Sequence, residues 1–186
     1  MNESDRLYVS NREAWRQWLE ANYRTAAEIW LIYPRKHTGI ARIPYNHAVE
    51  EALCFGWIDS ITKTIDEDQY SQRFTPRKPR SRFSQTNKER LRRLIEQEKV
   101  MPDVLTTIDD VLEAEFQFPS AIESAFRANE QAWENFQRYS GPYQRIRIAY
   151  VDVARKRPEE FEKRLRHLIR MTEQDKQFGF GIEDYY

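Results

Sequence analysis

Cysteine occurs once among the 186 residues, at Cys54, so neither an internal disulfide nor a cysteine metal cluster can form. One thiol suits a reducing compartment, and a cytoplasmic location is expected. The segment Met1–Leu7, MNESDRL, has neither the basic region nor the apolar stretch of a secretory leader. No apolar run reaches the length of about 18 residues that a membrane-spanning helix needs. Net charge is also lacking: 30 Lys+Arg face 30 Asp+Glu, so no whole-molecule field favours nucleic acid or a membrane. Histidine is scarce, with His37, His47 and His167 only, and none sits in a recognisable nucleophile motif. Walker, GxGxxG and HExxH patterns are absent. No cofactor and no metal are therefore expected.

What is present is a globular composition: 40% hydrophobic and 32% charged residues, with five Trp, ten Tyr and ten Phe as large packing units. Asn11 can cap a helix whose Trp15, Trp18 and Leu19 share one face. Glu28–Tyr33 is apolar and β-prone, and Pro34 ends it. Pro44 and Asn46 introduce a second helix, with Ala48, Val49, Ala52 and Leu53 inward and Gly56 as its stop. Trp57–Ile65 and Asp68–Thr75 flank the acidic turn Asp66–Asp68 and read as a hairpin, its register left open between three- and four-residue turns. Gln85–Lys99 reads as a helix with Thr86 and Glu89 spaced as a capping box.

Beyond about residue 103 the pattern is helical. The inner faces expected there are Ala121, Ile122, Ala125 and Phe126; then Trp133, Phe136 and Tyr139; then Ile146, Ala149, Tyr150, Val153 and Ala154; and finally Phe161, Leu165, Leu168 and Ile169. The expected fold class is α+β: a small antiparallel sheet with helices over residues 1–102, then an all-helical C-terminal lobe over 103–186.

The neutral total conceals strong charge patterning. From Gln72 to Arg93 there are nine basic residues against Glu89 alone, and from Glu96 to Glu115 seven acids against Lys99. Within the basic block, Arg73–Ser84 carries two prolines that stiffen the backbone and arginines whose planar forks suit phosphate or carboxylate. Ser84, Thr86 and Asn87 stand where a helix N-terminus exposes free N–H groups and partial positive charge. Together these make an anion site; the plainer alternative is an exposed basic loop whose Ser84 or Thr86 caps a helix.

The segments Ile43–Ser60 (IPYNHAVEEALCFGWIDS) and Tyr70–Lys78 (YSQRFTPRK), with Lys63, Asp66, Ser81, Ser84 and Asn87, resemble the YdeI/OmpD-associated family, also labelled bacteriocin-protection. The resemblance is nearly continuous over residues 43–101 and looser in the second half. There the family's usual Thr-Arg-rich segment is replaced by Arg157–Phe161, RPEEF. It implies a bacterial protein without a settled activity, tied by name to stress or bacteriocin protection and to a porin.

The residues shared with that family, Asp59, Lys63, Arg73, Arg77, Ser81, Ser84 and Asn87, straddle the hairpin and its exit. Asp59 and Lys63 are four apart on a strand, which places them on one face about 13 Å apart. They would contact opposite ends of a ligand rather than form one acid–base pair, with Trp57 as a stacking wall or as half-buried packing. The main expectation is binding of a small anionic ligand by Trp57, Asp59, Lys63, Arg73, Arg77, Ser81, Ser84 and Asn87, with no residue assigned as catalytic. One alternative is a nucleic-acid module using Arg73–Arg93. Another is an enzyme acting on a small anion through Asp59 and Lys63. A third is a protein-interaction surface on the aromatic tail Phe178–Tyr186, whose simpler role is to dock on its own core.

Overall fold

A computed structural model describes residues 5–78, 81–113 and 115–186. Pro79 and Arg80 of the basic loop lie outside the described residues. The fold is α+β, and the chain divides into two compact units, residues 1–83 with 90–111 and residues 84–89 with 112–186.

In the first unit, strands β1 (Arg6–Tyr8), β2 (Ile29–Pro34), β3 (Trp57–Thr64) and β4 (Gln69–Pro76) form one sheet in the order β1-β2-β4-β3. The hairpin pairs as expected, and the turn is closed by the Asp66 carboxylate, which accepts from the N–H groups of Asp68 and Gln69 at 2.8 Å each. β1 was not foreseen. It runs parallel to β2, so the sheet is mixed rather than purely antiparallel. Three residues are too few to show a period, and only the β2 edge gives them a role.

One face of the sheet carries Ile29, Leu31, Tyr33 and Phe74, all at most 3% exposed. Helices α1 (Arg12–Asn22) and α2 (Tyr45–Cys54) belong to this unit. Asn11 caps α1 by accepting from Ala14 N–H at 2.8 Å. Trp15 is fully buried, stacks on Trp18 at 5.3 Å, tilts against Phe74 at 5.4 Å and donates its indole N–H to Ala48 O at 3.0 Å. That bond ties α1 to α2 where burial would otherwise orphan a donor.

On α2 the apolar face is as the periodicity predicts, but Glu50 and Glu51 are buried too, at 4% and 1% exposure. Glu51 meets Arg16 at 2.9 Å and lies 3.2 Å from Arg12 Nε; Glu50 pairs with Arg12 and Arg93. Charge pairing is what allows two adjacent carboxylates inside the unit. Gly56, at φ +70°, ends the helix and turns the chain into β3.

Helix α3 (Gln85–Glu96) contributes its first five residues to the second unit and the rest to the first. Its N-cap is Ser84, whose Oγ accepts from Asn87 N–H at 3.2 Å. The expected Thr86–Glu89 capping box is not formed. The Glu89 carboxylate is taken instead by a two-pronged pair with Arg145, 2.7 Å on each arm, and by Gln85 at 2.6 Å. Helix α4 (Pro102–Glu113) follows with Pro102 in its first turn.

The rest of the second unit is α5 (Ser120–Arg127), α6 (Glu130–Arg138), α7 (Gly141–Asp152) and α8 (Pro158–Glu173). Asn129 and Ser140 cap α6 and α7 through Ala132 N–H at 3.0 Å and Tyr143 N–H at 3.2 Å. The main core joins Ile122, Phe126, Phe136, Ile148, Val151, Leu165 and Leu168, with Phe126 stacked on Phe136 at 4.5 Å. A second cluster joins Tyr143 and Ile146 to Ile182 and Tyr185 of the tail, so part of the aromatic tail docks on its own unit.

The expected face of α7 is rotated. Ile146 and Ala154 are buried as expected, but Tyr150 and Val153 are 43% and 72% exposed, and Tyr143, Arg147 and Val151 are buried in their place. Among the described residues no helix is long and apolar enough to cross a membrane.

Candidate functional site

The strand exit is built where β4 ends. Arg77 is pinned by its backbone N–H to Gly56 O at 2.9 Å, at the turn that Gly56 makes between α2 and β3. Its guanidinium lies 3.6 Å from the centre of the Phe83 ring, a cation–π contact that covers it from water. Nη2 donates to Ser81 Oγ and to Arg82 O, each at 3.1 Å. Nε is buried without a partner. Burial alone depresses the Arg77 pKa, and no carboxylate offsets it. Ser81 therefore belongs to this cluster as a brace for the guanidinium. Lys78 and Arg82 beside it are exposed.

Arg73, by contrast, is compensated. Its Nε donates to Glu28 at 2.8 Å and its Nη2 pairs with the same oxygen. Glu28 also accepts from the Trp30 indole N–H at 2.9 Å; this bond first, and Arg73 second, hold its pKa below the usual carboxylate range. Lys63 stands on this side as well, its Nζ 4.7 Å from the Trp30 ring centre.

Asp59 does not share that face. The register of β3 on β4 shifts between Asp59, opposite Phe74, and Thr62, opposite Gln72. One extra residue on β3 forms a bulge, and a slip of one residue turns later side chains to the opposite face. Lys63 thus pairs with Ser71 and points away from the Asp59 side, which overturns the expectation of a shared face.

Asp59 instead accepts from Tyr45 O–H at 2.7 Å and from Gln72 at 3.4 Å. The Tyr33 ring stacks on Tyr70 at 5.2 Å, and its hydroxyl is buried with no partner. Desolvation first, and the nearby Tyr70, Tyr45 and Asp59, raise the Tyr33 pKa.

Trp57 is on the Asp59 side but is 1% exposed, donates to Tyr23 O at 3.1 Å and packs edge-on against Trp18 at 5.8 Å. An indole so enclosed is core packing and not a stacking wall for a ligand. In the second unit, Ser84 serves as the α3 cap and Asn87 is 9% exposed.

Three residues of these clusters escaped sequence reasoning. Glu28 was read only as the start of a β-prone run, and Tyr45 and Phe83 were given no role. Only Phe83, interleaved with the arginines, carried a usable signal. The Cys54 thiol is buried and pushed up to about 12, chiefly by desolvation, as an inert core cysteine should be. His47 is exposed, and His37 meets Asp68 at 2.9 Å on the surface. Among the described residues no group of three or more His, Cys, Asp or Glu side chains is placed to hold a metal ion.

Residues 7–107 match the family described as Domain of unknown function (DUF8412), and residues 115–175 match the family described as Bacteriocin-protection, YdeI or OmpD-Associated. The first match spans more than half of the chain, which belongs to that family; the second bears out, over residues 115–175, the YdeI/OmpD-associated resemblance read from the sequence. It does so over the helical region, whereas the segments over 43–101 that first carried the resemblance fall within the first family. No curated protein and no solved structure matches.

Proposed function

We propose that this chain, a member of the first of those families with a YdeI/OmpD-associated helical region, binds a small phosphate- or carboxylate-bearing anion at the strand exit. The observation that carries the reading is Arg77: a guanidinium partly withdrawn from water, braced on Ser81 and Phe83, and facing no carboxylate. A cation held in this way is oriented before any ligand arrives, and a planar fork suits an oxyanion. Lys78 and Arg82 add exposed positive charge at the rim.

Arg73 is a weaker anchor, because an incoming anion would compete with Glu28 for it. Lys63 serves from the Trp30 side, and Asp59 acts as the acceptor that orders Tyr45 and Gln72. The description of the family matched over 115–175 names bacteriocin protection. We read this chain as an anion-binding protein in that setting, working in the reducing cytoplasm that suits its single thiol.

The alternatives are less well supported. An extended nucleic-acid surface over Arg73–Arg93 would use cations that are already engaged: Arg73 with Glu28, Arg90 with Asn46 and Arg93 with Glu50. An enzyme built on Asp59 with Lys63 loses the shared face it would need.

The test is a thermal-shift and calorimetric titration of the full chain with inorganic phosphate, succinate and a single-stranded oligonucleotide, repeated on Arg77→Ala. Saturable stabilisation by phosphate or succinate, absent in the variant while its circular dichroism is unchanged, is the expected result. Ligand at a hundred times Kd raises stability by about 2.7 kcal/mol. Stabilisation by the oligonucleotide alone, falling steeply with salt, would favour the nucleic-acid reading. No stabilisation by any probe would end the proposal.

A further inference from the structure

Among the described residues the helical unit contains a second cation with no ion pair, and it is more deeply buried than Arg77. Arg147, in the middle of α7, is 5% exposed. Among the described residues its Nε is sealed from water and has no hydrogen-bond partner. The guanidinium lies 3.9 Å from the centre of the Phe178 ring and 4.7 Å from that of Tyr150. These rings offer their negative faces to the cation but satisfy none of its in-plane donors.

The largest electrostatic influences on Arg147 are Tyr143, Tyr150, Tyr186 and another cation, Arg164, and His167 also feels its charge. Arg164 is itself engaged by Glu160 at 2.6 Å and by Tyr150 O at 2.9 Å. His167, edge-on to Phe178 at 4.8 Å, is bonded to Arg170 at 3.1 Å. The surroundings are therefore basic and aromatic. Gly179, at φ +137°, brings the backbone against the same guanidinium: a Cβ there would lie 3.2 Å from Arg147 Nη1 and 2.5 Å from Ile182 Cδ1. The Tyr186 hydroxyl holds this turn by donating to Gly179 O at 2.9 Å.

A buried charge left unpaired is costly, and packing that merely needed bulk would be better served by an apolar side chain. We propose that Arg147 is the anchor of a second site, in the helical unit, for a small oxyanion of the carboxylate or phosphate class. The fork donates to the ligand, while Phe178 and Tyr150 keep it oriented and exclude water. With so little of the arginine exposed, the ligand is a compact anion and not a polymer backbone. The site is independent of the one at Arg77.

The experiment follows the Arg147 side-chain Nε–H resonance of the full chain by NMR during titration with inorganic phosphate and, separately, with succinate. Wild type, Arg147→Met and Arg77→Ala are compared. A saturable shift of this resonance with one of the two anions is expected, and the responding anion identifies the source of the oxyanion. Arg77→Ala leaves the titration unchanged; Arg147→Met weakens binding of the responding anion at this unit at least tenfold, read from neighbouring backbone amides. Should Arg147→Met fail to fold, the wild-type resonance still decides. An Arg147 Nε–H that neither anion moves overturns the inference, as does Arg147→Met binding as tightly as wild type. Loss of the Arg147 shift in Arg77→Ala also overturns it, because binding would then belong to the strand exit.

Discussion

In the sheet-bearing unit two buried carboxylates, Glu50 and Glu51, meet Arg12, Arg16 and Arg93, whereas in the helical unit Arg147, buried to a similar degree, forms no ion pair among the described residues. The first arrangement is closed: each carboxylate is answered by two arginines within the unit, so both must be removed to strand it. The second is open, because among the described residues the guanidinium Nε has no hydrogen-bond partner. Burial is similar in both, so burial by itself does not mark a functional charge. Pairing separates the two, since a paired buried ion contributes to architecture and an unpaired one retains capacity for a ligand.

The sharpest way to break this contrast is to open the closed network. Replacing Arg12 and Arg16 together by methionine leaves Glu51 buried without a cation. The expected loss is about 3 kcal/mol, a value lowered for the solvent that reaches the arginines. Urea midpoints measure it, and a loss below about 1 kcal/mol would erase the distinction between the two regions.

Asp59→Asn is the intermediate case, since it keeps shape but removes the charge that accepts from Tyr45 and Gln72. About 1–2 kcal/mol is expected. Adding Tyr45→Phe to that variant should cost less than Tyr45→Phe does alone, in a double-mutant cycle. Arg147→Met in anion-free buffer should lie within about 1 kcal/mol of wild type, or above it. A loss matching that of the Arg12/Arg16 pair would show that Arg147 is structural.

The smallest effect concerns the exposed pair at Glu28. Its folded pKa is depressed, first by Trp30 and then by Arg73. Its contribution is therefore present above the unfolded carboxylate value of about 4.3 and fades as pH falls through the folded one. Glu28→Gln should narrow the stability difference between neutral and acid pH, with the change confined to that limb.

Comparison of expectation with structure shows where local signals ran out. The Asn11 cap, the paired strands around Asp66 and the helical second half were legible because each rests on neighbours along the chain. β1 was not, because a three-residue strand exists only through its pairing with β2. The α3 capping box failed when Arg145, far along the chain, claimed Glu89. The face of α7 was right at Ile146 and Ala154 and wrong at Tyr150 and Val153, for an instructive reason. The seam through Tyr143, Arg147, Val151 and Ala154 contains a charged residue, and hydrophobic periodicity discounts the position that matters most there.

The site shows the same division. Arg77 was picked out by the arginine-rich, proline-stiffened strand exit and Ser81 by the family resemblance, and they do stand together. Asp59 and Lys63 were joined on paper by strand period, and one bulged residue parts them. By itself the sequence determined the α+β class, most helices, the hairpin and a stretch rich in arginine, because those features depend on short-range spacing and on total composition. Only tertiary structure decided which arginines are neutralised and which are not. Arg73 finds Glu28 and Arg93 finds Glu50 across more than forty residues of chain, while Arg77 and Arg147 find aromatic rings instead. Pairing of that kind is a matter of distance in space and of exclusion from water, and neither is written in the order of the residues.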